Sequence, residues 1–132
     1  MKMNYYQLVT AINKAFEKND LELLATHLHN DVTWQIIGSK PIHGKDDFLK
    51  CCSEAPLKNN SVKITINTLL VDGAKAAAEG IIEAETLKGK AYRQYFCDIY
   101  YFEDDLIKTM SSYIDTAYDR EVLDGSAIYQ NN

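Results

Sequence analysis

The sequence predicts an α+β fold in which helices come first and an antiparallel sheet follows. Three observations predict it. Apolar residues recur at helical spacing up to Cys52, the period changes to two from Ser61 onward, and Asp72-Gly73 and Lys88-Gly89 sit as turn pairs between the alternating runs. The 132 residues fit one domain. With 46% apolar residues the chain can bury a core without disulfides.

Tyr5, Leu8, Val9, Ile12, Ala15 and Phe16 form one stripe, with Asn13, Lys14, Glu17 and Lys18 on the other side, which predicts an amphipathic first helix. Asn19 with Glu22 resembles a capping box that restarts a short helix carrying Leu23, Leu24 and Leu28. Asp31 to Ile37 is β-rich, and Gly38 to Gly44 reads as a loop. Lys45 to Cys52 reads as a third helix whose first-turn Asp46 and Asp47 suit the positive end of its dipole. Val62, Ile64, Ile66 and Leu70 then alternate with polar residues as in a half-buried strand. A third turn at Glu103-Asp104-Asp105 precedes a last strand from Leu106 to Ala117. The expected division is one domain over 1–118 and a polar tail over 119–132.

Composition narrows the function classes. Lys and Arg number 14 against 19 Asp and Glu, a net charge of −5 with no basic run, which argues against nucleic acid and anionic membrane surfaces. Cys51, Cys52 and Cys97 allow neither a disulfide framework nor a C-x-x-C pair. No long apolar segment or apolar leader occurs, so a cytoplasmic protein is expected. His27 and His29 do not share a helix face, and no metal, phosphate-binding or nucleophile-elbow motif is present, so neither a metal nor a cofactor is expected.

The strand faces are the most informative feature. In Lys75 to Thr86 the even positions Ala76, Ala78, Gly80, Ile82 and Ala84 form an inward face of mostly small side chains. Helices laid over such a face leave room for a ligand, unless Phe96, Tyr100 or helix side chains fill it. Farther along, Tyr92, Gln94, Phe96, Asp98 and Tyr100 share one face, while Arg93, Tyr95, Cys97, Ile99 and Tyr101 share the other. Helices cover one side of a sheet only. The second apolar face therefore predicts a homodimer through Tyr95, Ile99, Tyr101 and Tyr113.

Several local motifs, in their order, resemble the nuclear transport factor 2-like superfamily, and within it the SnoaL-like polyketide cyclase and ketosteroid isomerase-like branch. They are Phe16 to Leu21, Asp31-Val32-Thr33-Trp34 with Gly38, Gly44 ahead of Phe48, Asp98 to Ile107, and Tyr113-Ile114-Asp115. The likeness runs from about Leu8 to Tyr118. The Asp104-Asp105-Leu106-Ile107 turn departs from the family's Asp-Gly-Lys-Ile. The resemblance implies a cone, with a strongly curved sheet wrapped around N-terminal helices and an apolar pocket at its open end. It places the steroid isomerases' tyrosine at Ile12 and their aspartate base at about Ile36, so both are missing. Their protonated aspartic acid falls on Asp98. The epoxide hydrolases' Arg and two Asp fall at about Gly80, Ile82 and Ser112, so that residue set is also missing.

Asp98 is accordingly the expected catalytic residue: a carboxylate between Phe96 and Tyr100 on an inward face is desolvated and titrates high enough to carry a proton. Trp34, Ile36, Ile82, Tyr92, Gln94, Phe96, Tyr100, Met110 and Ser112 are expected to line a pocket for a small apolar molecule. Tyr92 and Tyr100 would supply hydroxyl donors to a ligand oxygen, and His43 would stand at the mouth. Two functions follow: a cofactor-independent isomerase, cyclase or hydratase, or a ligand-binding or dimeric interaction module without catalysis.

Overall fold

The computed structural model describes residues 3–115. Three helices, α1 (Tyr5–Lys18), α2 (Leu21–Ala25) and α3 (Lys45–Ser53), pack against a six-stranded mixed sheet. Its strands are β1 (Leu28–Ile36), β2 (Ile42–His43), β3 (Lys63–Asp72), β4 (Lys75–Glu85), β5 (Ala91–Glu103) and β6 (Leu106–Ile114). The spatial order is β2-β1-β6-β5-β4-β3. β3 to β6 form the expected antiparallel meander, and β1 closes the order by pairing parallel to β6. The division at 118 and the segment 119–132 lie outside the described residues.

Local chemistry explains the boundaries. Asn4 caps α1 through its side chain, which accepts from the Gln7 backbone N–H at 2.8 Å, and Gln7 reaches back to the Asn4 N–H. Asn19 ends α1 in the left-handed conformation instead of starting the next helix. Asp20 is the residue that caps α2, accepting from the Leu23 N–H. Leu28 belongs to β1, not to a helix. The stretch expected as loop contains β2, paired with Thr33 and Trp34. Between β5 and β6 the two-residue turn puts Asp104 and Asp105 at φ 54° and 62°, the double positive φ that hairpin twist favours. The Tyr5 hydroxyl donates to Asp105 Oδ1 at 3.0 Å.

The sheet curls around α1 because its strands carry bulges. Register shifts occur at three places: between Leu28 and Thr33 β1 carries three residues more than β6, between Ile66 and Thr68 β3 carries one more than β4, and beside Tyr101 and Phe102 β6 carries one more than β5, and the extra residues bend the strand at each. The shift in β3 corrects the sequence reading: past it Leu69 and Val71 face inward, and Leu70 is 63% exposed. Strict two-residue alternation fails where one residue is inserted. Gly80 sits beside this bend. A Cβ there would collide with the Thr65 carbonyl oxygen, so the absent side chain lets β3 fold close over β4.

The core lies between α1, α3 and the concave face. Val9, Ile12, Leu24, Leu28, Val32, Phe48, Tyr100, Phe102 and Ile107 are its fully buried large side chains. Each contributes about 1.5–3 kcal/mol by leaving water. Ala76 and Ala78 belong to this same cluster with Leu8, Val9, Ile12 and Tyr100. Of the two readings of the small-residue face, large-to-small packing holds at this end of the cone. No helix among the described residues is long and apolar enough to cross a membrane.

Candidate functional site

Strand register turns the concave face into a map. One row across the sheet reads Trp34, Met110, Tyr100, Ala76 and Val71. The next reads Ile36, Ser112, Asp98, Ala78 and Leu69, and farther along come Ile114, Phe96, Gly80 and Ile66, then Gln94, Ile82 and Ile64. Asp98 thus stands opposite Ser112, with Tyr100 two residues along on the same face.

These neighbours form a buried hydrogen-bond chain. Trp34 Nε1 donates to Ser112 Oγ at 2.9 Å, and Ser112 donates onward to Asp98. From the other side Asn13 Nδ2 donates to the Tyr100 hydroxyl at 3.2 Å, and Tyr100 donates to the same carboxylate. Asn13 Nδ2 also reaches the Val9 carbonyl at 2.9 Å. Each hydroxyl accepts from one side and has its single proton available for Asp98 on the other.

Asp98 is 8% exposed and is the only carboxylate buried among the described residues. Burial raises its pKa from 3.8 to about 6, against the opposing pull of the hydrogen bonds from Ser112 and Tyr100. Tyr100 is fully buried, and desolvation followed by the negative charge on Asp98 raises its pKa well above the ordinary tyrosine value. It remains a neutral donor. At neutral pH the site therefore holds a dry carboxylate oriented by two neutral hydroxyls.

The remaining expected residues divide into three groups. Trp34 is half-buried and stacks on Phe48 with ring centroids 4.6 Å apart, so it is both a core wall and a member of the chain. Met110 is buried in the hydrophobic core, opposite Tyr100 in the β5–β6 ladder. Phe96 and Gln94 are each 6% exposed, while Ile36, Ile82 and Tyr92 are half-buried on the concave side. The Tyr100 hydroxyl is engaged inside the protein, by Asn13 and by Asp98. His43 is exposed on β2, the opposite sheet edge from β3, with Nδ1 3.4 Å from Thr33 Oγ1.

A groove of about 450 Å³ opens between α1 and β3, lined by residues including Asn13, Glu17, Ile64, Ile66 and Leu69. Glu17 accepts from the Ile64 N–H at 2.7 Å, which holds its carboxyl below the usual range and ties the helix to the strand. Asn13 joins the groove to the buried chain. A larger depression lies on α1 along Tyr6, Gln7, Thr10, Ala11 and Lys14, away from Asp98. Sequence reading placed Asn13 on the polar side, although Val9, Ile12, Asn13 and Phe16 follow the i, i+3, i+4, i+7 pattern of one face. That spacing was the available signal. No group of three or more His, Cys, Asp or Glu among the described residues is arranged to hold a metal.

Comparison with known proteins adds the relationship. The SnoaL-like domain model matches residues 9–110. No curated protein matches the sequence. Among solved structures, a nuclear transport factor 2-like protein of unknown function from Cytophaga hutchinsonii shares 26% identity at a TM-score of 0.68, covering 83% of this chain and 97% of that one. A putative SnoaL-like polyketide cyclase from Shewanella denitrificans has a TM-score of 0.77 at 11% identity, over 92% and 97% of the two chains. An LEH-like epoxide hydrolase from M. tuberculosis has a TM-score of 0.73 at 17% identity, over 85% and 79%. The latter two likenesses speak for the fold alone.

Proposed function

This chain belongs to the SnoaL-like domain family, and on that premise we propose that it binds a small, mostly apolar molecule and moves a proton on it through Asp98, as a cofactor-independent isomerase, cyclase or hydratase does. The observation that carries this reading is the dry carboxylate held by two neutral hydroxyls, with a pKa of about 6. A group titrating there is substantially ionised at neutral pH yet still returns a proton readily. In the forward step the carboxylate takes a proton from a carbon next to a carbonyl. The C–H bond breaks and its electron pair moves onto the carbonyl oxygen as an enolate. Delivery of the same proton to another atom completes an isomerisation.

The test uses 2-acetylnaphthalene, an apolar enolisable ketone, in heavy water. The native protein is expected to exchange the acetyl methyl protons for deuterium faster than buffer does, with a rate that rises through about pH 6. Asp98→Asn is expected to lower the rate at least about 100-fold. An unchanged rate would remove Asp98 from the chemistry.

A second reading is a binding module without catalysis. It is favoured by the commitment of both hydroxyls to Asp98, which leaves neither to stabilise an enolate. Ligand binding without methyl exchange would select it. In either case we propose that a second copy of the chain covers the outer sheet face, where Tyr95, Ile99, Tyr101 and Tyr113 remain exposed. Light scattering at micromolar concentration is expected to give twice the 15.0 kDa chain mass, and Tyr95→Lys with Tyr113→Lys is expected to halve it. The free cysteines and acidic balance support a reducing, cytoplasmic setting.

A further inference from the structure

Gln94 is buried to 6% exposure on the concave face, yet its amide makes no side-chain hydrogen bond among the described residues. No buried side-chain nitrogen or oxygen among those residues is sealed without a partner, so the Gln94 amide faces accessible space. An amide this far withdrawn from bulk water, with no protein partner for its side chain among the described residues, costs stability that an apolar residue of similar size would not. Its surroundings are apolar: Ile82 is its register partner, Ile64 lies beyond Ile82, and Phe96 follows on the same face. Ile64 lines the groove beside α1, and so does Leu69, which shares a row with Asp98. The groove thus runs from the level of the acid to the level of the amide. Between the groove and β5 the rows hold Ala78, Gly80 and, in the row of the amide itself, Ile82; Asp98 and Gln94 stand behind these positions and do not line the groove directly.

We propose that Gln94 is a specificity-determining contact of the Asp98 site, holding a hydroxyl or carbonyl at the far end of an elongated, otherwise apolar ligand. Four residues of strand separate the two groups, roughly 13 Å at about 3.3 Å per residue. The ligand class is therefore a molecule with polar groups at its two ends and an apolar body between them. One end presents an enolisable carbonyl to Asp98, and the other presents a hydrogen-bonding group to Gln94. The inference rests on the Asp98 reading for the first end only.

The test compares 2-acetylnaphthalene with 6-hydroxy-2-acetylnaphthalene, a rigid apolar body carrying the second polar group. Fluorescence titration of the native protein is expected to show about tenfold tighter binding of the hydroxylated probe, the value of one well-made hydrogen bond. In Gln94→Leu, and in Gln94→Met as the less disruptive variant, the two probes are expected to bind equally, with a thermal midpoint no lower than that of the native protein. In Asp98→Asn the preference is expected to persist. Binding of neither probe, equal binding by the native protein, a preference retained without Gln94 or lost with Asp98, or unfolding of both Gln94 variants would overturn the proposal. A Gln94-dependent preference without methyl exchange would uphold it while removing the proton-transfer function. Exchange without the preference would do the reverse.

Discussion

Asp98→Asn is expected to abolish a pH-dependent loss of stability worth about 3 kcal/mol. The folded protein keeps the Asp98 proton up to about pH 6, whereas an unfolded chain loses it near 3.8. Between those values the folded state binds more protons than the unfolded state. Stability therefore falls as pH rises through this window, and the full cost is present above it. An asparagine has no such transition. Urea unfolding of both proteins at about pH 4 and about pH 8 measures the effect. The difference in stability between variant and native protein is expected to shift in favour of the variant by about 2 kcal/mol on going to the higher pH, because part of the full cost is already present at about pH 4, just above the unfolded value. Taking the difference cancels the other titrating groups, Glu17 included. A shift near zero would mean that Asp98 is as well solvated folded as unfolded. The instability comes from the same desolvation that raises the Asp98 pKa to about 6.

Gly80→Ala is expected to destabilise the fold by about 3 kcal/mol, through overpacking against backbone. The added Cβ meets the Thr65 carbonyl and the Ile66 Cα, neither of which can rotate away as a side-chain tip can. Either the β3 bend opens or the ladder between β3 and β4 breaks. The comparison is Gly73→Ala in the hairpin, where nothing lies within 4 Å of the new Cβ and only the positive φ of 59° opposes it. That change is expected to cost about 1 kcal/mol. Equal midpoints for the two variants in urea would show that close approach of β3 is not what demands the glycine.

Much of this was legible in the sequence because alternation on one strand needs no long-range information. The inward placement of Tyr92, Gln94, Phe96, Asp98 and Tyr100 and the outward placement of Tyr95, Ile99 and Tyr101 follow from parity alone, and they hold. The parity of β3 did not hold past its bulge, since nothing in Asn67-Thr68-Leu69-Leu70 marks an inserted residue. Asn13 was misplaced because its polarity outweighed its spacing, although a buried asparagine with two acceptors in reach costs little. The fate of the small-residue face was beyond sequence reading for a different reason. Whether Ala76 and Ala78 bound a hollow or receive Tyr100 and Ile12 depends on how far the sheet curls, which three bulges set jointly. His43 shows the same limit: its short loop is plain in sequence, but the sheet edge it joins depends on the parallel pairing of β1 with β6, strands far apart in the chain.

Tyr100 changes meaning as a result. It is a positioning residue, passing the Asn13 contact on to Asp98, and its burial keeps the carboxylate dry. The chain of Trp34, Ser112, Asp98, Tyr100 and Asn13 holds the acid from both sides, which leaves the carboxylate little freedom to turn. The measurement that bears most directly on this account is the carboxyl carbon resonance of Asp98 followed through a pH titration in protein carrying carbon-13 aspartate. The account predicts a midpoint of about 6; a midpoint near 4, the value of an ordinary solvated aspartate, would contradict it.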